Sequence, residues 1–455
     1  MSKRRKIFLK VFYYIFVSVI LLALGMVCLG IIFYASGYKI NWKAKKIDKT
    51  GMLVVNSQED GLKIFIDKKQ INTVQGRSAV IFSSSYTATL LPGEYDLEIR
   101  KDGRVPYDEH IVVEKELVTK IDNVLLLPEK IPDKTFLNKE LSSYSFSPDN
   151  KKIVYQTPDN KVLTYNIDTA QEKMLDEKTI KEKVTSYTWD AGSSRVALKI
   201  NKKEGDYYYI LDPENLQNSF FLQDRMSYLP FFDDIYFSPS NPDELFGINK
   251  KDLYKINTSS SKVEKVVENI SHFIQKKNFF YYLDKDNSLI QFAPESSRGN
   301  VILEKFQLSN DFDLLPINRE SDIYIKNAGS LYLIEDKNNL KLIDKDVEGF
   351  LTESNDSQFI YTKEFEVWIY DSNKEVAKML TRFGKKIENI QEFYNDKYLL
   401  YQQGQDLEVI KKDSKNSQEI KNSVENVKVL DKNKIVVVEA NDLQTIFKLI
   451  DLSAK

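Results

Sequence analysis

One pattern recurs through residues 141–455 of this 455-residue chain and narrows its fold more than any other feature. An aromatic run is followed by a turn rich in Ser, Pro, Asp or Asn, an apolar strand, a second polar turn, and an aromatic strand ending in Asp or Asn. The clearest copy is YSFSPDNKKIVYQTPDNKVLTYNID at residues 144–168; others begin at Tyr187, Ile235, His272, Leu315, Leu351, Phe393 and Val429. Eight copies at a spacing of about forty residues correspond to four short strands each, the size of a β-propeller blade. A blade buries both faces against its neighbours, so its strands need not alternate apolar with polar. The runs Ile435-Val436-Val437-Val438 and Phe279-Phe280-Tyr281-Tyr282 do not alternate. A β-solenoid or a series of separate sandwiches fits less well. Ring closure needs a strand from each terminus in one blade, and residues 134–141 are placed to supply it. The expectation is seven or eight blades, with eight favoured.

The motif Phe146-Ser147-Pro148-Asp149-Asn150, with its degraded copy Phe237-Ser238-Pro239-Ser240, resembles the F-S-P-D-G repeat of TolB-like propellers. Later copies drift from it, and the Gly-His and Trp-Asp pairs of WD repeats are missing.

The N-terminus carries a different signal. Residues 11–35, VFYYIFVSVILLALGMVCLGIIFYA, hold no charge, and 25 residues at about 1.5 Å each exceed a hydrocarbon core of about 30 Å. Val11, Ile20, Leu22, Ile31 and Tyr34 belong to this expected transmembrane helix, and Trp42 follows as an interfacial ring. The run is too apolar all round for a core helix and too long for the usual core of a signal peptide. Lys3, Arg4, Arg5, Lys6 and Lys10 precede it; Lys39, Lys43, Lys45, Lys46 and Lys49 follow it. Flanking charge is therefore nearly tied. Long domains translocate largely regardless of charge, so residues 1–10 are expected in the cytoplasm and the bulk outside.

Between anchor and repeats, after a Lys-rich linker at residues 36–50, residues 51–128 show short alternating runs and turns expected of a small antiparallel β-sandwich. Asp67, then Leu91-Pro92-Gly93-Glu94-Tyr95, Gly103, and Pro106-Tyr107 resemble the PEGA domain, a small surface-associated module of bacteria and archaea. The resemblance implies an extracytoplasmic binding or spacer role without catalytic residues. Glu59-Asp60-Gly61-Leu62 departs from the family's Pro-x-Gly-Ala turn, and residues 72–89 are longer than its pattern. Residues 129–140 read as a second linker.

Chemistry-bearing residues are sparse. The single Cys28 lies inside the apolar run, so no disulfide, zinc site or thiol nucleophile is available beyond it. Its predecessors Gly25-Met26-Val27 lack the small residue that lipoprotein signals place directly before a modified cysteine. Only His110 and His272 are present, one in each module. Asp233-Asp234 and residues 284–288, DKDNS, carry acids but lack the glycine and distal glutamate of a calcium loop, and read as turns. Lys plus Arg, 65, balances Asp plus Glu, 67, which argues against nucleic acid as partner. The expectation is an all-β, membrane-anchored, extracytoplasmic scaffold without enzyme activity or cofactor, whose propeller binds a protein or envelope polymer. The competing readings are a glycan-active enzyme or sensor using carboxylates in the propeller funnel, and an inward-facing platform.

Overall fold

The computed structural model describes residues 3–41, 45–57, 59–71, 73–78, 83–176, 179–226, 229–296, 299–305, 307, 309, 312–316, 322–352, 357–394, 396–412, 417–441 and 444–452. Contacts divide the chain into two compact units, residues 1–130 and 131–454.

In the first unit, a 33-residue helix spans Lys3–Ala35. Its segment Ile15–Phe33 is long and apolar enough to cross a bilayer and is not buried against anything in the molecule. Ile20, Leu22 and Ile31 are each at least half exposed. Trp42 lies outside the described residues, as do the side chains of Val11 and Tyr34. Within the stretch read as linker, Tyr38–Asn41 and Lys46–Lys49 pair as an antiparallel hairpin, Ile40 opposite Ile47.

The following residues form two four-stranded sheets. One is ordered Val118–Val124, Gly51–Ser57, Ser83–Leu90, Val74–Ser78; the other Lys69–Gln70, Lys63–Ile66, Gly93–Arg100, Tyr107–Val113. Alternation does what the sequence promised: Leu53, Val55, Leu97, Ile99, Ile111 and Val113 point into one shared core. One feature departs from an antiparallel sandwich: the module's last strand, Val118–Val124, runs parallel to its first, because the chain crosses from the other sheet before pairing. Residues 74–78 and 83–90, in the stretch that outgrew the PEGA pattern, add two strands at one edge. The Glu59 departure is filled by charge. Its carboxylate meets the buried Arg104 guanidinium at 3.2 Å and Lys101 at 2.7 Å.

The described residues of the second unit form eight four-stranded antiparallel sheets. Seven are consecutive, at residues 143–174, 184–221, 234–267, 271–303, 313–344, 349–382 and 388–421. The eighth takes three strands from residues 426–451 and its outermost strand, Asp133–Lys139, from the start of the unit. All eight starting points of the sequence pattern fall in the first strand of a blade. Burial explains the missing alternation. In blade 1 the second strand, Lys152–Gln156, is buried at four successive positions, and so is most of the third, whereas the fourth, Gln171–Met174, is mostly exposed.

Neighbouring blades share cores. Val154 and Val162 of blade 1 pack with Val196 and Leu198 of blade 2. Phe246 of blade 3 lies 4.6 Å, ring to ring, from Phe280 of blade 4. Ile153 and Tyr155 of blade 1 pack with Leu137, Val436 and Phe447 of blade 8. Between blades 7 and 8 the link is polar: Gln391 donates to Val427 O at 2.8 Å and accepts from Val429 N at 3.2 Å. Buried amides serve similarly elsewhere. Gln156, with no exposed surface, donates to Glu182 O at 2.9 Å and accepts from Val184 N at 2.8 Å, clamping the entry to blade 2. Gln156→Leu is expected to cost about 1–3 kcal/mol, because two buried backbone groups lose a partner while packing volume is kept. A chemical-denaturation curve of the purified protein, with Gln444→Leu on the exposed Asn441 turn as reference, checks this.

Candidate binding surfaces

The repeat motif turns out to be architectural. Ser147 Oγ donates to Asp149 Oδ1 at 2.6 Å and accepts from Lys152 N at 2.9 Å, and Asn150 turns the chain at φ +57°. The same turn reaches both neighbouring blades: Asp149 N donates to Ser193 Oγ at 3.1 Å in blade 2, and Asn150 Nδ2 to Val429 O at 2.8 Å in blade 8. Burial pushes the Asp149 carboxyl up, but the Ser147 hydroxyl and Lys151 amide outweigh it and hold it below its ordinary value. Phe146 and Tyr144 lie against Phe447 of blade 8 at 5.9 and 5.2 Å. In the degraded copy, Phe237 O accepts from Gln275 Nε2 at 3.0 Å in blade 4, and Ser238 N donates to Glu244 O across the Pro239 turn. These residues shape blade turns and tie them to the neighbouring blades.

The PEGA-like residues are also turn makers. Asp67 and Lys68 both take positive φ, joining Lys63–Ile66 to Lys69–Gln70, and Asp67 Oδ1 accepts from Asp96 N at 3.1 Å. Leu91-Pro92 leads into the strand Gly93–Arg100, where Tyr95 donates back to Leu91 O at 2.8 Å. Gly103 sits at φ +75°; Pro106 precedes Tyr107, which is buried in the sandwich core.

On the sandwich's outer sheet face, His110 Nδ1 lies 3.0 Å from Asp96 and Nε2 3.8 Å from Glu94. The hydrogen bond with Asp96, then the charges of Asp96 and Glu94, raises the imidazole above its ordinary value. A raised folded pKa means the contact stabilises fully below the unfolded imidazole value, near 6.5, and is lost as pH climbs through the folded one. Proton NMR is expected to show His110 titrating above an unperturbed histidine, and Asp96→Asn or high salt to bring it back down; the exposed site makes salt sensitivity certain to register.

The acids singled out in the sequence go to different ends. Asp284 Oδ1 accepts from the backbone N of Asp286 and Ser288, both at 2.9 Å, which is turn capping. The Asp233 carboxylate caps the Lys250 amide at 2.6 Å, while its backbone carbonyl and the carboxylates of Asp206 and Asp234 gather around Lys199, whose Nζ is 3.1 Å from Asp206 and 3.8 Å from Asp234. Burial raises the Asp234 carboxyl, Lys199 opposes the rise, and Asp233 and Asp206 add to it. His272 is exposed, holds φ +51° at a bulge, and meets the Phe312 ring at 5.4 Å. Among the described residues no group of three acids, histidines or cysteines has metal-ligating geometry.

A groove of about 490 Å³, which no sequence signal marked, opens between the outer halves of blades 3 and 4. Phe292 and Pro294, both buried, form its floor beside half-buried Val266; Glu244, Lys255, Lys262, Glu264, Lys265 and Glu295 surround that floor with charge. The charges are matched in place: Lys255 with Glu244 at 2.9 Å, Lys262 with Glu264 at 3.0 Å, Lys265 with Asp252 at 3.2 Å and Glu268 at 2.9 Å. Alternation on the strands Asp252–Asn257 and Lys262–Val267 puts Lys255 opposite Glu264, so this mixture of signs follows from register.

No protein-family model matches the sequence, and no curated protein does either. The PEGA and TolB resemblances therefore rest on the quoted residues alone. Solved structures do match. A crystal structure of a eukaryotic initiation factor is 11% identical with a TM-score of 0.50, over 72% of this chain and 91% of that one. The Dos1 propeller is 11% identical at 0.46, over 71% and 95%. An oligogalacturonate lyase in complex with manganese is 11% identical at 0.42, over 70% and 97%. At such identity a likeness speaks for the fold alone; the eight four-stranded blades and their shared cores described above are what make the second unit a β-propeller.

Proposed function

We propose that the chain is a single-pass membrane protein that displays its propeller, outside the cytoplasm, as a non-catalytic platform for a protein or envelope polymer. The helix supports the anchor: Ile15–Phe33 is apolar, exposed, and close to the thickness of a hydrocarbon core. The observation that carries the binding role is the groove between blades 3 and 4. Its size suits a peptide or glycan segment, buried Phe292 and Pro294 give it a firm floor, and its lysines and glutamates stand in matched pairs rather than converging on one reacting atom. The carboxylates around Lys199 are likewise spread about a cation, an arrangement that suits structure better than acid–base work.

Photo-crosslinkers placed at Asn257 and Ser260 in the groove, and at Lys378 on the exposed outer strand of blade 6, test this in intact cells. Groove positions are expected to yield a defined partner that Lys255→Glu abolishes. Identical products from all three positions would sink the groove assignment. Membrane-impermeant labelling of cysteines introduced on either side of the helix reports the orientation, and a protected propeller would refute the outward one.

A further inference from the structure

The segment that follows the helix is not a loose tether. Phe33 meets Tyr38 ring to ring at 5.4 Å, and only two residues separate the helix end from the hairpin Tyr38–Asn41/Lys46–Lys49. On its other side the hairpin is fastened to the sandwich. Thr50 donates to Gly37 O through both N, 2.8 Å, and Oγ1, 2.9 Å; Lys39 Nζ donates to Thr89 O at 2.6 Å; Lys49 pairs with Glu116. Helix end, hairpin and sandwich thus form one continuous bonded structure.

The hairpin nevertheless leaves its most apolar pair uncovered. Ile40 and Ile47 are direct cross-strand partners, so both project from one face, and they are 53% and 58% exposed. Their depth is set by the chain. The 19 residues Ile15–Phe33 rise about 29 Å, the hydrocarbon thickness, which places Phe33 at its edge. The Tyr38 ring lies 5.4 Å from that of Phe33, and Ile40 is two residues past Tyr38, at most about 7 Å further even when extended. The headgroup layer is about 5–8 Å deep on each side, so the pair falls in it or at its outer border. Lys46, on the opposite face and 62% exposed, is in reach of lipid phosphates.

We propose that this hairpin is seated in the membrane interface, with the Ile40–Ile47 face in the glycerol and upper acyl region of a phospholipid leaflet, and that it holds the sandwich against the bilayer instead of letting it swing. This rests on the anchor reading above. An apolar face at interfacial depth gains from burial as amphipathic helices do, and the bonds to Gly37, Thr89 and Glu116 pass that restraint to the sandwich.

The test uses the full chain, with Cys28→Ser as background, in vesicles of phosphatidylcholine and phosphatidylglycerol. Spin labels are attached singly at Ile40→Cys, Ile47→Cys, Leu22→Cys as a depth standard, and Glu94→Cys as a water standard. Collision with dissolved oxygen and with a water-soluble nickel complex then gives depth. The expected result is Ile40 and Ile47 labels shielded from nickel at least threefold relative to Glu94, and shallower than Leu22. Ile40 and Ile47 labels as open to nickel as Glu94, with Leu22 immersed, would overturn the hairpin proposal and leave the anchor intact. A Leu22 label open to nickel would overturn both.

Discussion

Leu137→Ala is expected to destabilise the propeller by about 2–5 kcal/mol, and Leu137→Asp to exceed that range by adding a buried charge to the lost volume. The residue lies on the strand Asp133–Lys139, which comes from the start of the unit yet pairs with Thr445–Asp451 from its end. Leu137 stands opposite Phe447 and packs with Ile153 and Tyr155 of the first blade, so one side chain joins three blade strands distant in sequence. Two charge clusters tie the closing blade to its neighbours, the first to blade 7 and the second to blade 1. Asp133 and Glu439 share Lys421 and Lys448 at 2.7–3.3 Å, and Lys139 binds Glu172 of blade 1 at 2.8 Å. Lys421 and Lys448 hold the Asp133 carboxyl below its ordinary value. A lowered folded pKa gives stability that is present above the unfolded carboxyl value, near 3.9, and lost as pH falls through the folded one. The seam should therefore weaken below about pH 4, and Asp133→Asn should flatten that acid limb. Calorimetry is the check, with exposed Thr135→Ala as control. A Leu137→Ala melting curve superimposable on that of the parent would contradict the closing role of this strand.

Gly51→Ala is expected to disrupt the sandwich, at about 3–5 kcal/mol, an unusually large effect for one added methyl. A Cβ at this position would lie 2.2 Å from Glu114 O and 2.7 Å from Val113 Cγ1. The nearer atom is backbone, so relief requires moving the turn at residues 114–117. That turn is itself tied by Glu116 N to Thr50 O at 3.1 Å and by Met52 N to Leu117 O at 3.0 Å. Hydrogen exchange should show loss of protection in Gly51–Ser57 and Val118–Val124 while the propeller strands keep theirs. Protection unchanged in both strands would mean the turn yields easily and the close approach is not structural.

Both effects arise at places where distant segments meet; the sequence pointed to the first, through the need for a closing strand near residues 134–141, and was silent on the second. Blade repeats were legible because each is a local event: the burial of second and third strands, and turns made by residues such as Asn150 and Asn287, print a pattern every few dozen residues. The apolar helix was legible for the same reason, since length and absence of charge are properties of one continuous segment. The sandwich core could be read from alternation, and its turns from Asp67, Pro92-Gly93 and Gly103. Its parallel first and last strands could not, because nothing in Gly51–Ser57 names Val118–Val124 as a partner.

The candidate site was harder still. The groove between blades 3 and 4 joins Lys255 and Glu264, which look like ordinary solvated charges, to Phe292 and Pro294 from the next blade. The conspicuous residues, Ser147-Pro148-Asp149 and Asp284, proved to spend their hydrogen bonds on turns and on a neighbouring blade.

By itself, then, the sequence determined an apolar helix, a small β-sandwich and a propeller of seven or eight blades, because hydrophobic period and turn chemistry act over a few residues. Only the tertiary structure decided that Asp133 meets Lys421, 288 residues away; that Glu59 answers Arg104; that the Lys-rich stretch after the helix is a hairpin; and where a groove opens. Those pairings depend on register and on the angle between packed sheets. Both are set by the cooperative packing of many side chains, and no short stretch of sequence encodes them.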